Sequence, residues 1–559
     1  MQKNLIEESI SRLIGNSVTK LKSEFPRLAD SRVEIEIPKD DRHGDLATNI
    51  ALRLAGVLGV KPMDVAAKIV SSVQEEIPRC AAREIVRSVE VKPPGFINFW
   101  LSDAVFRDAL ADIHAKGADF GRSDAGKGAK VLIEFVSANP TGPLTVAHAR
   151  QAAFGDSLAN ILEFCGYKVT REYYINDEGV QMSLLADSVA ARYLELHRQP
   201  ARFPENGYKG AYIYEIARDI QEKHKDTFLK DATTTKAKKD FFLRFSCDSI
   251  MAGIRQDLKD FHIRFDVWYS QATLAASGKV EKELRALREK GYLYDHEGAS
   301  WFKSTAFGDD KDRVVIKSDA SYTYLAPDIA YHKDKFARGF DSLIDIWGPD
   351  HHGYIPRIKA AIQVMGYAKG SLSVIIIQLA TLFRDGKPVS MSTRQGEFVT
   401  LRELLDEVGK DAGRFFFLMR KSQSHLDFDL ALAKQQSSQN PVYYVQYAHA
   451  RICSISEKSD TPFEKADLRL LKEGEELDLM KYLWRFPLVV RASGQYLEPY
   501  GLIAYLQELA RAFHAFYDKH RVMSDDADLT KARLFLVHCT KTVIATGLEL
   551  IGVSAPAKM

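Results

Sequence analysis

The stretch from Val131 to Arg150 constrains the fold more than any other, because it reads as a buried strand running through a Pro/Gly turn into a helix. Val131, Ile133 and Phe135 alternate with Leu132, Glu134 and Val136, so both faces are apolar apart from one carboxylate. That pattern suits a parallel strand covered by helices on each side. After Asn139-Pro140-Thr141-Gly142-Pro143, small or apolar residues recur at helical spacing at Ala147, Phe154, Leu158, Ile161, Leu162 and Cys165, and Gly166 is a natural stop. Val169 to Ile175 reads as the next strand. A helix starting at the carboxyl end of a parallel strand aims free N–H groups and a positive dipole end at whatever sits there, typically an anion. A nucleotide is the first expectation.

At 559 residues the chain has room for three or four domains, each with its own core. No apolar run approaches the ~18 residues needed to span a bilayer. The charged start, Met1 to Glu8, lacks the apolar core of a secretory signal. Cys80, Cys165, Cys247, Cys453 and Cys539 are isolated, which suggests neither a disulfide framework nor a zinc cluster. A cytoplasmic protein with no membrane partner is expected. The formal charge of +2 offers no support for nucleic-acid binding. It does not exclude it, because basic residues can gather on one face while the total stays balanced.

Residues 1–115 read as a small α/β module, with a helical start, Ile35 to Pro38, a turn at Arg42-His43-Gly44-Asp45, and two short strands around Pro93-Pro94-Gly95. The expected core spans 118–395. An insertion is expected over about 180–317, where long charged helices and a loop at Asp231 to Lys236 replace the strand pattern. Strands return at Leu343 to Trp347 and Val374 to Leu379. A connective segment covers 396–435, and from 436 the pattern is helical to the end, opening with Asn440 as N-cap and Pro441 at the first helical position. The fold class is therefore α/β: a doubly wound, Rossmann-like parallel-sheet core with an α/β N-terminal domain and an all-α C-terminal domain.

Several residues stand out chemically. His148, early in the helix after the turn, is placed to donate to a phosphate or to pack under a base. Gly348 and Asp350 follow a strand, where they either end it in a turn or offer a carboxylate to ligand hydroxyls. Val389 to Gly396 is held between a hairpin turn at Asp385-Gly386 and a capping box at Thr400 to Glu403. Burying Glu134 in an apolar strand is costly unless a cation meets it, and nothing nearby in sequence supplies one. A substrate guanidinium would do so, with Asp328 as a second carboxylate and Tyr324 four residues earlier. Equally open is that Glu134 pairs with a core lysine or arginine and Tyr324 packs. Adjacent His351 and His352 point to different sides and lack a third ligand, so no metal site is expected. Tyr443, Tyr447 and Arg451 fall at i, i+4 and i+8, a face on which bases stack or which packs into a core.

Ser137 to Pro143 followed by Thr145-Val146-Ala147-His148, then Arg171 to Asp177, Ile346 to Gly353 and Ile551 to Pro556, resemble in the same order the bacterial arginyl-tRNA synthetases, class I enzymes. Thr145 and Ala147 replace the first histidine and the glycine of the family's His-x-Gly-His element. Ser390 to Arg394 resembles the KMSKS loop, with Thr393 where its second lysine stands. The resemblance implies activation of L-arginine by ATP, with Mg2+ arriving on the nucleotide, and transfer to tRNA(Arg) by a monomer whose activation step requires bound tRNA. It implies that Glu134, Asn139, Tyr324, Asp328 and His352 hold arginine. Gly142, His148, Gly348, Asp350, Met391, Ser392 and Arg394 would hold ATP, with His148, the Thr145 hydroxyl and Arg394 serving catalysis. Tyr443, Tyr447 and Arg451 would face the tRNA. Two rivals stay open: a paralogue silenced by Thr145, Ala147 and Thr393, and a related nucleotidyl-transferring enzyme acting on another amine.

Overall fold

The Val- and Ile-rich runs bounded by turn residues become one parallel sheet in the computed structural model, which describes residues 3–21, 33–38, 40–229, 236–389 and 399–559. Its strands are β1 (Lys130–Glu134), β2 (Lys168–Ile175), β3 (Val267–Ser270), β4 (Ser342–Trp347) and β5 (Leu372–Ile376), in the order β5-β4-β1-β2-β3. The chain builds outward from β1 in one direction, then returns and builds outward in the other. That reversal opens a crevice at the carboxyl ends of β1 and β4, where doubly wound sheets bind their ligands.

From Val131 onward β1 is buried on both faces. Helix α1 (Val146–Phe164) covers it so closely that a Cβ on Gly155 would lie 2.4 Å from Cγ of Phe135. Only glycine fits there. Gly166, at φ +87°, ends the helix in the left-handed region as its position predicts.

One expectation needs correction. The interval 180–317 contains β3, a strand of the central sheet, and is not wholly an insertion. Val267-Trp268-Tyr269-Ser270 is a four-residue edge strand with every residue only half-buried, too short to show a period between long helices. Around it lie the helix Lys236–Asp260 and a separate antiparallel sheet of Leu293–His296, Ala299–Phe302 and Arg313–Ile316. Helix α2 (Leu325–Ala337) then leads into β4.

Strand Ala380–Arg384 turns through Asp385 (φ 52°) and Gly386 (φ 75°) into Lys387–Pro388, the hairpin expected of that dipeptide. The KMSKS-like residues Met391, Ser392, Thr393 and Arg394 lie outside the described residues, as does the 231–235 part of the expected loop. Beyond them, the Thr400 hydroxyl accepts from the Glu403 N–H at 3.0 Å in the anticipated capping box.

In the N-terminal module, Phe96–Leu101 pairs antiparallel with Val86–Lys92 on one side and Leu46–Thr48 on the other. The Ile35 to Pro38 segment contributes a single bridge, Glu36 to Ala47. The C-terminal region is a bundle of α3 (Pro441–Glu457) with Gly474–Gln495, Tyr500–Lys519 and Ala527–Leu550. Asn440 caps α3, accepting from the Val442 N–H at 3.2 Å while donating to the Ala433 and Gln435 carbonyls. Among the described residues no helix is long and apolar enough to cross a membrane.

Wholly buried Arg414 ties the bundle to the core. Its guanidinium donates to Asp156 of α1 at 2.7 Å, to the Ile551 carbonyl at 2.8 Å, and to the carbonyls of Phe261 and His262 at 3.2 Å. Gly552, at φ +68°, lets the tail wrap this group, and a Cβ there would come 2.3 Å from the guanidinium carbon. Gly552→Ala is therefore expected to lower stability to denaturant by roughly 2–4 kcal/mol, combining backbone strain and overpacking. An unchanged unfolding midpoint would contradict this packing.

Candidate active site

Strand register sets up the site. Glu172 on β2, Glu134 on β1 and Asp345 on β4 are consecutive register partners, so three carboxylates stand in a row on one face of the sheet. Adjacent strands lie only about 4.8 Å apart, so the row cannot be buried without cations. Helix α2 supplies them. Tyr331, His332, Lys335 and Arg338 recur at helical spacing along the face that meets the row.

Lys335 Nζ lies 2.5 Å from Glu134 and 2.8 Å from Asp345. Arg338 forks onto Glu172 at 2.5 and 2.9 Å, and the Tyr331 hydroxyl donates to the same carboxylate at 2.5 Å. His332 Nε2 sits 2.8 Å from Asp345. Of the two readings left open for Glu134, the structure shows its pairing with a core lysine, and that cation lies 201 residues downstream. It was detectable only as a helical repeat of polar residues after Asp328, a pattern that composition and local spacing do not link to β1.

The row is nevertheless not neutral. Glu134, Glu172, Asp345 and Asp328 are four carboxylates against the two cations Lys335 and Arg338, so at least one negative charge stays unmatched even when His332 carries a proton. Asp334 and Lys279 pair with each other nearby and cancel. Burial pushes the carboxyl of Glu134 up despite Lys335, and pushes Asp328 up despite the hydrogen bond from Tyr354. For Asp345 burial also acts upward, but Lys335 and His332 together overcome it and hold the group low. Lys335 is shared between Glu134 and Asp345, and only Asp345 has His332 besides, so Glu134 is left under-neutralised.

Above this floor opens a cavity of about 640 Å³ at the crevice between β1 and β4. Glu134, Asn139, His148, Tyr324, Asp328, Gly348 and Asp350 all line it. Asp328 accepts from the Tyr354 hydroxyl at 2.6 Å, and Asn139 donates to Gln181 at 2.7 Å. Tyr324 is 75% exposed, so it stands at the rim and does not pack into the core. On the wall Arg357 faces the Tyr354 ring at 5.4 Å, and His351 Nε2 lies 3.3 Å from Asp350.

Three predicted residues stand apart from the lining. His352 is exposed and its neighbour His351 lines the cavity instead, because the turn after β4 coils into a 3-10 helix that rotates the pair. Gly142 is covered by Tyr212, whose hydroxyl donates to the Thr141 carbonyl at 2.7 Å. Thr145 is the N-cap of α1, and its hydroxyl lies 3.1 Å from Nδ1 of His148, turned toward that ring.

This cap decides what His148 can do. Its Nδ1 accepts the Thr145 backbone N–H at 3.1 Å, which leaves the proton of a neutral ring on Nε2. Burial pushes the imidazole down to about 4, so near pH 7 the ring is an uncharged N–H donor. The start of α1 is also clamped to the residues just after the KMSKS-like loop, since the Leu401 N–H donates to the Leu144 carbonyl at 2.8 Å. Two residues beyond His148, buried Arg150 donates to the carbonyls of Gln378 at 2.7 Å, Ser424 at 3.0 Å and Lys421 at 3.1 Å. Sequence reasoning missed Arg150, since its partners are backbone atoms that no motif marks.

On α3 the Tyr443 and Tyr447 rings stack with centroids 6.0 Å apart and 11° between planes. Arg451 donates to the Tyr447 hydroxyl at 2.6 Å and also covers the Tyr517 ring, while His514 stacks on Tyr447. The three residues share a half-buried face, and part of Tyr447 is already occupied by the protein's own groups.

The family model for tRNA synthetases class I (R), catalytic domain, matches residues 110–452. Models for the arginyl tRNA synthetase N terminal domain and the DALR anticodon binding domain match 3–101 and 445–559. A protein named arginine–tRNA ligase from Citrifermentans bemidjiense is 48% identical over 533 residues, covering 94% of this chain and 95% of that one. Another of that name, from Listeria monocytogenes, is 46% identical over 567 residues and covers 100% of both. The solved arginyl-tRNA synthetase of Thermus thermophilus matches in fold with a TM-score of 0.75, at 21% identity, covering 98% of this chain and 100% of that one. With its parallel-sheet core, N-terminal module and helical bundle all matched in order, the chain belongs to the arginyl-tRNA synthetase family.

Proposed function

We propose that this protein is an arginine–tRNA ligase of the cytoplasm. It activates L-arginine with ATP to arginyl-adenylate and transfers the arginyl group to the terminal ribose of tRNA(Arg). The observation that carries the reading is the unmatched negative charge beneath a cavity at the reversal point of the sheet. A guanidinium supplies one positive charge and a planar fork of donors suited to paired carboxylates. Glu134 and Asp328 take that group, with Tyr324 and Asn139 along the ligand.

The arginine carboxylate then attacks the α-phosphorus of ATP, forming a P–O bond as the bond to pyrophosphate breaks. Such a reaction needs positioning and charge stabilisation more than bond-making groups of the protein. His148 Nε2–H serves as a neutral donor to phosphate, and the N-terminus of α1 favours the anion. Gly348 and Asp350 meet the ribose, Mg2+ comes with the nucleotide, and Arg394 with Met391 and Ser392 contacts the phosphates in place of the missing lysine. Tyr443, Tyr447 and Arg451, joined by His514, form the stacking face offered to tRNA.

Arginine-dependent ATP–pyrophosphate exchange, measured with and without tRNA, is expected to show activity with arginine. No exchange under either condition would favour a silent paralogue, and exchange with a different amino acid would favour the other rival. Asp328→Asn should raise the KM for arginine about tenfold or more, since it removes one of two charged acceptors. Unaltered affinity in that variant sinks the assignment. Arg394→Ala should depress adenylation far more than arginine binding, by roughly 3 kcal/mol of transition-state stabilisation; an unchanged rate refutes its role.

The raised carboxyls give a pH signature. Glu134 and Asp328 hold their protons to higher pH than ordinary carboxyls, and a guanidinium binds only their ionised forms. Arginine affinity should therefore fall as pH drops from neutral, and binding in mildly acid buffer should release protons. Calorimetry in two buffers of different ionisation heat would expose a failure as zero proton release across that range.

A further inference from the structure

Lys335 stands between two carboxylates, is wholly buried, and does not line the cavity. It fills the position between Glu134 and Asp345 that a substrate ammonium would otherwise seek. What it leaves exposed is distinctive. Glu134 Oε2 is taken by Lys335, while Oε1 is oriented by the Ser137 hydroxyl at 2.9 Å. Asp328 has Oδ2 taken by Tyr354. The acceptor capacity that still faces the cavity therefore sits on two different side chains, one on β1 and one on α2. A guanidinium spans separated acceptors with its rigid fork, whereas an ammonium is a compact point charge that needs them to converge.

We propose that Lys335 is a positioning residue that makes the pocket selective for a guanidinium over a primary ammonium, by occupying the convergent site between Glu134 and Asp345 and orienting Glu134 for a fork. The proposal rests on the reading of this cavity as the amino-acid pocket. Lys335 is screened from the cavity by the side chains above it. It acts through Glu134, and the two carboxylates it joins belong to strands whose register already sets them side by side.

The test is arginine-dependent exchange in the full-length enzyme with tRNA(Arg) present, and with L-lysine and L-ornithine added as competitors. Lys335→Ala vacates the ammonium position. It should raise the arginine KM about tenfold or more, change kcat much less, and strengthen inhibition by lysine or ornithine by at least about tenfold. Lys335→Arg, which keeps a cation at the position, should retain most of the discrimination. A folded Lys335→Ala enzyme in which competitor inhibition is unchanged overturns the proposal, as does one that loses only kcat and thermal stability.

Should Lys335→Ala fail to fold, Asp345→Asn serves instead. It leaves Lys335 to neutralise Glu134 alone, so the arginine KM should rise about tenfold with kcat nearly kept. An unchanged KM there overturns the proposal equally. Wild-type enzyme run alongside separates the two levels of failure: no arginine-dependent exchange in the wild type defeats the pocket reading, whereas normal wild-type exchange with unshifted variants defeats only the role of Lys335.

Discussion

Three carboxylates placed side by side by strand register are the constraint on which the rest depends. Glu172, Glu134 and Asp345 share one face of the sheet, at a spacing where like charges cannot be buried unaided. The fold answers with α2, which brings a lysine, an arginine, a histidine and a tyrosine onto the row at helical intervals. Removing one partner from such a buried pair typically costs about 3–5 kcal/mol. The position of α2 is thereby fixed, and with it Asp328 at its start.

From that fixed helix the function follows by arithmetic of charge. The protein's own cations satisfy Glu172 and Asp345 but leave Glu134 and Asp328 wanting, and these two face the cavity. Desolvating carboxyls in this way costs free energy that a cation in the cavity offsets. At the start of α1 the logic is different. His148 is held neutral and oriented by the cap of its own helix, so that element contributes a directed N–H and a dipole without adding a charge.

Much of this was legible in the residues. The strand, turn and helix of 131–166, the hairpin at Asp385-Gly386, and the caps at Thr400 and Asn440 are local devices, and local chemistry suffices to read them. Glu134 was legible as an anomaly, because a lone carboxylate in a buried strand demands a partner. Its partner was not, since Lys335 reaches it through tertiary packing across the sheet. For the same reason β3 was hidden, being a short edge strand whose only signature is its pairing with β2. The rotation that exchanges His351 for His352, and the cap that turns the Thr145 hydroxyl inward, depend on backbone geometry that side-chain identity leaves open.

The central claim, that an unmatched negative charge awaits a guanidinium, is tested most directly by comparing equilibrium binding of L-arginine and L-citrulline. Citrulline keeps the length and shape of arginine but ends in a neutral urea group. The account predicts that citrulline binds at least about a hundredfold more weakly, because it leaves the buried charge unmet. Comparable affinities for the two would mean that the floor of the pocket is already neutral, and would contradict the account.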